Sequence, residues 1–481
     1  MMERQVLVVN TGGSEGFSMV KGIRGAGVFC TMTGVEALSL PEEIKGVVVI
    51  GAPNEHTLPC LRLLLEKGLP ILAFGAPAAQ LCIALGGEVT GHAITGQLKE
   101  VHFANLGICA GVEGGMRLLE SADYLSLAQG CRTLSVAEGV TLGFDDGQGA
   151  STGFQFMPEA HDVEASEIIG NFLWSVLHLQ PNYSYEAYID QAVQRIRQVV
   201  GEGQAVCVLS GGVDSTVAAC LAKRAVGDRL HCLVINKGLA RDGDIEYIHQ
   251  ALGGQLGLEI RQVNAQGRMM EQLSGCITPQ SKRQAVAQFI GDRISDEVAR
   301  LGGHVVVVRA TNYPDVLQGH FQSELAGDIP VVEPLRPLFK DEVRAIATML
   351  GVPDAVVSRQ HYPSAGIALR CMGPVDADKL ETLRHADEVL RRTLEEAGQI
   401  KPITQVFAVM ADFSSAFMDG RPRYVVILRA VNGTAADPIH VLRLPQDVLE
   451  RAAERILAEV ENVYRVVYDL TPVPPGQVEW E

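Results

Sequence analysis

The chain has 481 residues, 47% of them apolar, with 50 glycines and a formal charge of −17. One hydrophobic core cannot organise that length, so roughly two to four domains are expected, in α/β rather than fibrous or disordered form. The acidic balance excludes a broad basic surface, and a nucleic-acid partner is not expected. No apolar run is long enough to span a bilayer, and the ten cysteines form no CxxC pair of a zinc ribbon. The sequence runs almost at once into a strand, Gln5–Val9, without the apolar region of a signal peptide, so a cytoplasmic location is expected.

Up to about residue 175, short apolar runs alternate with helical patterns. Val6–Val9, Gly46–Ile50, Ile71–Phe74 and Phe154–Phe156 read as strands, Leu58–Lys67 and Ala78–Leu85 as helices. That alternation predicts an open sheet with helices on both faces and ligands beyond the carboxyl ends of its strands. The turns there are Thr11-Gly12-Gly13, Gly51-Ala52-Pro53 and Gly75-Ala76-Pro77. A helix over Asn171–Leu179 closes this part, and Pro181-Asn182-Tyr183-Ser184 marks a boundary.

The next segment opens with a helix, Tyr188–Val199, and an apolar run, Ala205–Leu209, of buried-strand type. Ser210-Gly211-Gly212-Val213-Asp214-Ser215-Thr216 follows, and then an alanine-rich helix. Strand, glycine turn and helix start build a nest of backbone N–H groups that suits phosphate or pyrophosphate. The glycines let the backbone turn tightly and approach an anion. Asp214 fits an anion nest only if a divalent cation accompanies the nucleotide. Further strands, Cys232–Ile235, Glu259–Val263 and Val305–Arg309, alternate with helices over 243–254 and Lys282–Leu301. They predict a parallel sheet with one nucleotide site at its strand ends. From Pro374 the pattern changes to a charged helix, Ala377–Ala397, then strands Tyr424–Leu428 and Val463–Tyr468 around helix Gln446–Val460. This predicts a small α+β unit with helices on one face.

Two stretches of the first part, PILAFGAPAAQLCIALGGEV (Pro70–Val89) and GFQFMPEAHD (Gly153–Asp162), resemble the class I glutamine amidotransferase domain. That family carries a nucleophilic Cys at a strand-to-helix elbow and a catalytic His in an F-H-P-E motif. Aligned on Gln80, the Cys falls on Ala76 and the His on Met157, and only the third member of the triad is kept, as Glu159. A thioester needs both a thiolate and a base, so the resemblance implies a domain that does not hydrolyse glutamine. Cys82, about two turns into the following helix, and His161, beyond Glu159, do not restore the pair.

SGGVDST matches the N-type ATP pyrophosphatase loop, and VINKGLARDGD, KRQAVAQFIGD, ATNYPDVLQ and EPLRPLFKDEVR are similar to the GMP synthetase family. The resemblance implies that ATP is split between its α and β phosphates, that the C2 carbonyl oxygen of xanthosine monophosphate is adenylated, and that ammonia displaces AMP. By that pattern Ser210, Gly211, Gly212, Val213, Ser215 and Thr216 hold the pyrophosphate. Asp214 holds Mg2+, Lys340 and Asp341 act at the same phosphates, and Arg241 faces ATP. The segment Arg359–Arg370 resembles the family's acceptor loop, P-F-P-G-P-G-L-A-I-R, which makes Ser364, Gly366 and Arg370 acceptor-binding, with Glu479 in the tail. VILRAVNGT, RLPQDVLERAAERI and NVYRVVYDLTPVPPGQVEWE resemble the family's dimerisation domain and imply a homodimer. The expected division is a degenerate amidotransferase-like domain over 1–180, an ATP pyrophosphatase domain over 181–365 and a dimerisation domain over 366–481.

Departures bear on the acceptor. The family's V-D-N-G becomes Val-Ile-Asn236-Lys237-Gly238 here. Residues 324–330 shorten its H-H-N-V-G-G-L-P stretch, and Ser364 and Ala365 replace Gly and Pro in the acceptor loop. The tail carries Val473 and Pro474 where the family has the lysine that reaches the acceptor phosphate, and loss of that fixed charge puts xanthosine monophosphate in doubt. The leading expectation is an ATP-dependent, AMP-forming ligase that uses free ammonia on a purine-like or related heterocyclic acceptor. The alternatives are sulfur transfer from a sulfur donor by the same adenylate chemistry, with Cys276 as the thiol to test, an ammonia-dependent GMP synthetase, and a non-catalytic regulatory protein.

Overall fold

The structure, a computed structural model, describes the chain except residues 1–4, 14, 53, 159–161, 318–324, 326, 360–364, 401–402, 413–415, 419–420, 434–438, 474–479 and 481. The expected positions Glu159, Ser364 and Glu479, together with His161, lie outside the described residues. The chain forms two compact units, Met1–Tyr188 and Ile189–Glu481. The boundary expected at 180/181 falls close to that division, whereas the one expected at 365/366 lies inside the second unit.

The first unit runs β1 (Val6–Gly12), α1 (Glu15–Gly25), β2 (Cys30–Gly34), β3 (Gly46–Gly51), α2 (Thr57–Glu66), β4 (Ile71–Gly75) and α3 (Ala76–Ala84). It continues through β5 (Glu88–Phe103), β6 (Gly115–Ser126), β7 (Arg132–Ala137), β8 (Val140–Asp145), β9 (Ser151–Phe154) and α4 (Val163–Asn171). All nine strands join one sheet in the order β2-β1-β3-β4-β9-β8-β7-β5-β6. From β2 to β9 the pairing is parallel; from β9 to β6 it is antiparallel. β1, β3 and β4 are nearly continuous apolar runs because helices cover both faces. Leu61, Leu64 and Leu81 from α2 and α3 pack on Leu7, Val9, Val47, Val49 and Ile71, while α1 and α4 pack on each other. Phe154–Phe156 is not a strand in full: the register with β4 ends at Phe154. The Phe156 carbonyl instead accepts the Gly75 N–H at the end of β4 (3.2 Å). The helix expected at Asn171–Leu179 is α4 continued by a π-helical turn, Phe172–Val176.

α5 (Tyr185–Val200), which begins just before the division at 188/189, leads into the second unit's β10 (Gln204–Val208), α6 (Val213–Val226), β11 (Leu230–Asn236) and α7 (Asp244–Ile248, continued by π-helical His249–Gln255). Then come β12 (Ile260–Asn264), α8 (Gln266–Leu273), α9 (Pro279–Leu301), β13 (Val305–Val308), α10 (Tyr313–Leu317), β14 (Val331–Val332), α11 (Lys340–Met349) and α12 (Asp354–Val357). The sheet is parallel throughout, in the order β12-β11-β10-β13-β14. The chain winds outward from β10 through β11 and β12, then returns to the other side of β10 with β13. The direction of winding therefore reverses beside β10, and the crevice of such a sheet opens there.

The remainder comprises α13 (Ala377–Glu396), β15 (Gln405–Met410), β16 (Ala416–Met418), β17 (Arg421–Asn432), β18 (His440–Val441), α14 (Gln446–Glu459) and β19 (Val463–Tyr468). β17 pairs antiparallel with β15, β16 and β18, and parallel with β19. One apolar cluster runs from Ile235, Leu239 and Met269 through Ile367 and Leu383 to Val406, Val426 and Ile456. This cluster holds residues from both sides of 365/366. Alternate residues of β15 and β17, Phe407, Val409, Val425 and Ile427, form a separate cluster on the other face, as the period of two requires.

Candidate active site

The loop between β10 and α6 takes its shape from glycine and from its own hydroxyls. Gly211 is buried at φ +77°, a left-handed conformation that excludes most side chains. A Cβ there would also come within 2.7 Å of Arg359 Nη1 and 2.8 Å of Ile248 Cγ1. Gly212 is the N-cap of α6, and no side chain caps it. The Ser215 hydroxyl accepts the Ser210 N–H (3.2 Å) and lies 3.1 Å from the Gly212 carbonyl, and Thr216 Oγ1 donates to that carbonyl at 2.9 Å. Ser215 and Thr216, expected on a ligand, thus brace the loop. Val213 is buried, so only its backbone serves the nest. Ser210 is exposed at the turn.

A second helix start meets the first. Lys340 is the first residue of α11, whose N-terminal turn is held by Glu342 accepting the Phe339 N–H at 2.8 Å. Its ammonium donates to one carboxylate oxygen of Asp214, 126 residues away. The other oxygen, Asp214 Oδ1, is buried and has no hydrogen-bond partner among the described residues. Two positive helix ends, a lysine and an unsatisfied carboxylate oxygen therefore converge at the mouth of the sheet. Asp341, the next residue, is exposed.

Arg241 and Arg370 take other places than expected. Arg241 Nε donates to Asp387 on α13 at 3.0 Å, with the two side chains 9% and 2% exposed. Arg370 is 1% exposed, lies 4.2 Å over the Phe407 ring and 3.8 Å from Asp387. An acceptor cannot reach the Arg370 guanidinium without a rearrangement, because it is turned into the core. Asp387 also accepts the Ala408 N–H at 2.9 Å. Burial, followed by the like charge of Arg241, lowers the pKa of nearby Arg391. Gly366, at φ +59°, packs so closely on the Leu239 carbonyl that a Cβ would lie 2.2 Å from it.

Residues that sequence reasoning left unassigned also reach the loop. Arg359 donates to the Gly211 carbonyl at 3.2 Å, pairs with Asp244, and lies 4.6 Å over the Tyr247 ring. Lys237, on the turn after β11, has its ammonium pKa lowered by desolvation to about 8. The thiols that sulfur transfer would require are poorly placed. Cys207 and Cys232 are buried, and desolvation pushes both thiols up, Cys232 to about 12. Cys276 lies on the turn before α9, where it donates to the Gln272 carbonyl at 3.7 Å.

In the first unit, β4 turns into α3 at Gly75, φ +71° and ψ −139°, a conformation open only to glycine. Ala76 begins the helix. A Cβ on Gly75 would lie 2.3 Å from Met157 Sδ, so the Met157 thioether covers the elbow. The structure thus juxtaposes the positions aligned with the family's Cys and His, and they carry a methyl group and a thioether. Cys82 faces away: it is buried, its thiol is raised to about 11, chiefly by desolvation, and it lies 3.8 Å from the Ser126 carbonyl.

An arrangement that grips an anion by backbone N–H groups, helix ends and one cation, at the switch point of a parallel sheet, is the working principle of the ATP pyrophosphatase-type synthetases. The family models agree with it: "NAD synthase" matches residues 185–410 and "GMP synthase C terminal domain" matches residues 392–480. Along its whole length the chain is 32% identical to "GMP synthase [glutamine-hydrolyzing]" of Caldicellulosiruptor saccharolyticus, with 100% of both chains covered. It is 34% identical to the protein of the same name from Symbiobacterium thermophilum, with 99% of both covered. The chain belongs to the GMP synthase family.

Proposed function

We propose that the chain is an ATP-dependent, AMP-forming ligase that aminates a purine-like acceptor with free ammonia and does not hydrolyse glutamine. The observation that carries this reading is the convergence of Lys340, Asp214 and the Gly211–Gly212 nest at one point, set against an elbow occupied by Ala76 and Met157. The acceptor's carbonyl oxygen attacks the α-phosphorus of ATP. A P–O bond forms, the bond to the β-phosphate oxygen breaks, and pyrophosphate leaves. Ammonia then adds to the activated carbon, the C–O bond breaks with AMP as leaving group, and the surplus protons go to solvent.

The chain's own groups supply position and charge. The loop N–H groups face the β and γ phosphates, and Lys340 neutralises the departing pyrophosphate. Mg2+ fits at Asp214 because Asp214 Oδ1 is buried without a partner among the described residues. Among the described residues no cluster of three or more His, Cys, Asp or Glu could hold a metal, so phosphate oxygens would complete the coordination. The ion would offset charge on the leaving group.

The test is release of AMP and pyrophosphate with ATP, Mg2+ and a panel of xanthosine monophosphate, xanthosine and xanthine, using ammonium or glutamine as nitrogen source. Ammonium is expected to sustain acceptor-dependent turnover and glutamine is not. Steady release of glutamate from glutamine would overturn the glutaminase-free reading. Absence of AMP formation with every acceptor would overturn the ligase reading.

A further inference from the structure

We propose that Arg359 is a positioning residue that locks the phosphate loop to the acceptor segment, so that the Gly212 N–H points at the transferring phosphates. The proposal rests on the ligase reading above and adds to it a residue that neither binds ATP nor reacts. Its basis is the reach of one planar side chain. The guanidinium donates to the Gly211 carbonyl at 3.2 Å, pairs with Asp244 at the start of α7, and lies over the Tyr247 ring at 4.6 Å. A guanidinium's rigid plane serves a carbonyl and a carboxylate in one fixed geometry while its face covers a ring; an ammonium has no such plane to hold that geometry.

The consequence follows from peptide planarity. The Gly211 carbonyl and the Gly212 N–H belong to one rigid plane. A donor that fixes the carbonyl therefore also orients the N–H, which makes a long contact of 3.4 Å to Ser210 Oγ. Gly211 is buried at φ +77°, and the two glycines flanking this plane leave its rotation to whatever holds the carbonyl and the loop hydroxyls that brace Gly212. Gly366 and Ile367 are fastened to the turn after β11. The Ile367 N–H donates to the Leu239 carbonyl at 3.1 Å, and Gly366 packs directly on that carbonyl. The two fastenings sit on the turns after β10 and β11, neighbouring strands of the sheet.

The experiment compares wild type, Arg359→Ala and Arg359→Lys in the full-length chain. It measures KM for ATP, kcat for acceptor-dependent AMP formation, and hydrogen exchange in a peptide containing residues 210–216. The expected result is a loss of about 100-fold in kcat in both variants, the scale set by a misplacement of about 1 Å, with KM for ATP nearly unchanged. Exchange should be faster in that peptide and unaltered in the rest of the sheet. Recovery of kcat by Arg359→Lys would overturn the proposal, because charge opposite Asp244 would then suffice. So would a rise in KM for ATP without a fall in kcat, which would make Arg359 a nucleotide ligand. If wild type turns over no acceptor, the ligase reading fails by itself and the exchange measurement still decides: unchanged protection over 210–216 overturns the positioning role. Should Arg359→Ala fail to fold, Arg359→Lys distinguishes the same outcomes by kcat, KM and exchange.

Discussion

Lys340 and Asp214 neutralise each other across 126 residues of sequence, and that pairing defines what each can do. A lysine bonded to a carboxylate is held in place and aimed before any phosphate arrives. Lys340→Met should lower kcat for AMP formation by about 100- to 1,000-fold, the scale of losing one preorganised charge at a developing oxyanion. ATP-dependent pyrophosphate release by the folded variant measures this. Lys237 has a different signature. Its folded ammonium titrates near 8 because burial disfavours the charge, against an ordinary value of 10.5. Between those values the unfolded chain binds the proton more tightly than the folded one, so this lysine makes stability rise with pH from about 8 to 10.5. The buried thiols, pushed above their ordinary 9.0, act with the opposite sign. The difference between wild type and Lys237→Met in urea titrations isolates the lysine, and the variant should be the more stable at pH 7. Ser210–Thr216 is legible in the sequence because its residues are contiguous. The role of Arg359 is not, because its partner Gly211 lies 148 residues away and nothing in the local pattern marks a side chain that grips a backbone carbonyl.

At the scale of elements, strands that bury both faces are plain in the sequence. β1, β3, β4, β10, β11 and β13 are apolar runs that end at glycine or polar turns. The long hairpin β5–β6 is not, because most of its residues are exposed and an unburied strand carries no apolar stripe to read. The reach of α13 is equally hidden. Its length follows from its apolar period, but its Asp387 accepts from Arg241 on the turn after β11 and lies near Arg370. Removing that carboxylate takes a shared counterion away from two buried cations. Asp387→Ala should cost about 3–5 kcal/mol, seen as a lower urea midpoint with an unchanged denaturant slope. A shift within about 1 kcal/mol, the scale of an exposed ion pair, would show that water or another acid takes over the role.

Across the whole molecule, the sequence by itself determined the chemistry that begins the reaction. SGGVDST lies between a buried strand and a helix, and local apolar periodicity suffices to place such a loop at a strand end. It also determined what the elbow of the first unit lacks, since no fold can turn Ala76 and Met157 into a nucleophile and a base. Tertiary structure decided which distant groups stand together. It brought Lys340 to Asp214, Arg359 to Gly211, and Met157 over Gly75, and it turned Arg241 and Arg370 inward onto Asp387. It also joined the pyrophosphatase sheet and the C-terminal sheet through one apolar cluster, where composition alone suggested a boundary. The physical reason is one of range: helix and strand periods are written in neighbouring residues, whereas an ion pair or a shared core between segments far apart in sequence forms only when packing closes the chain around it.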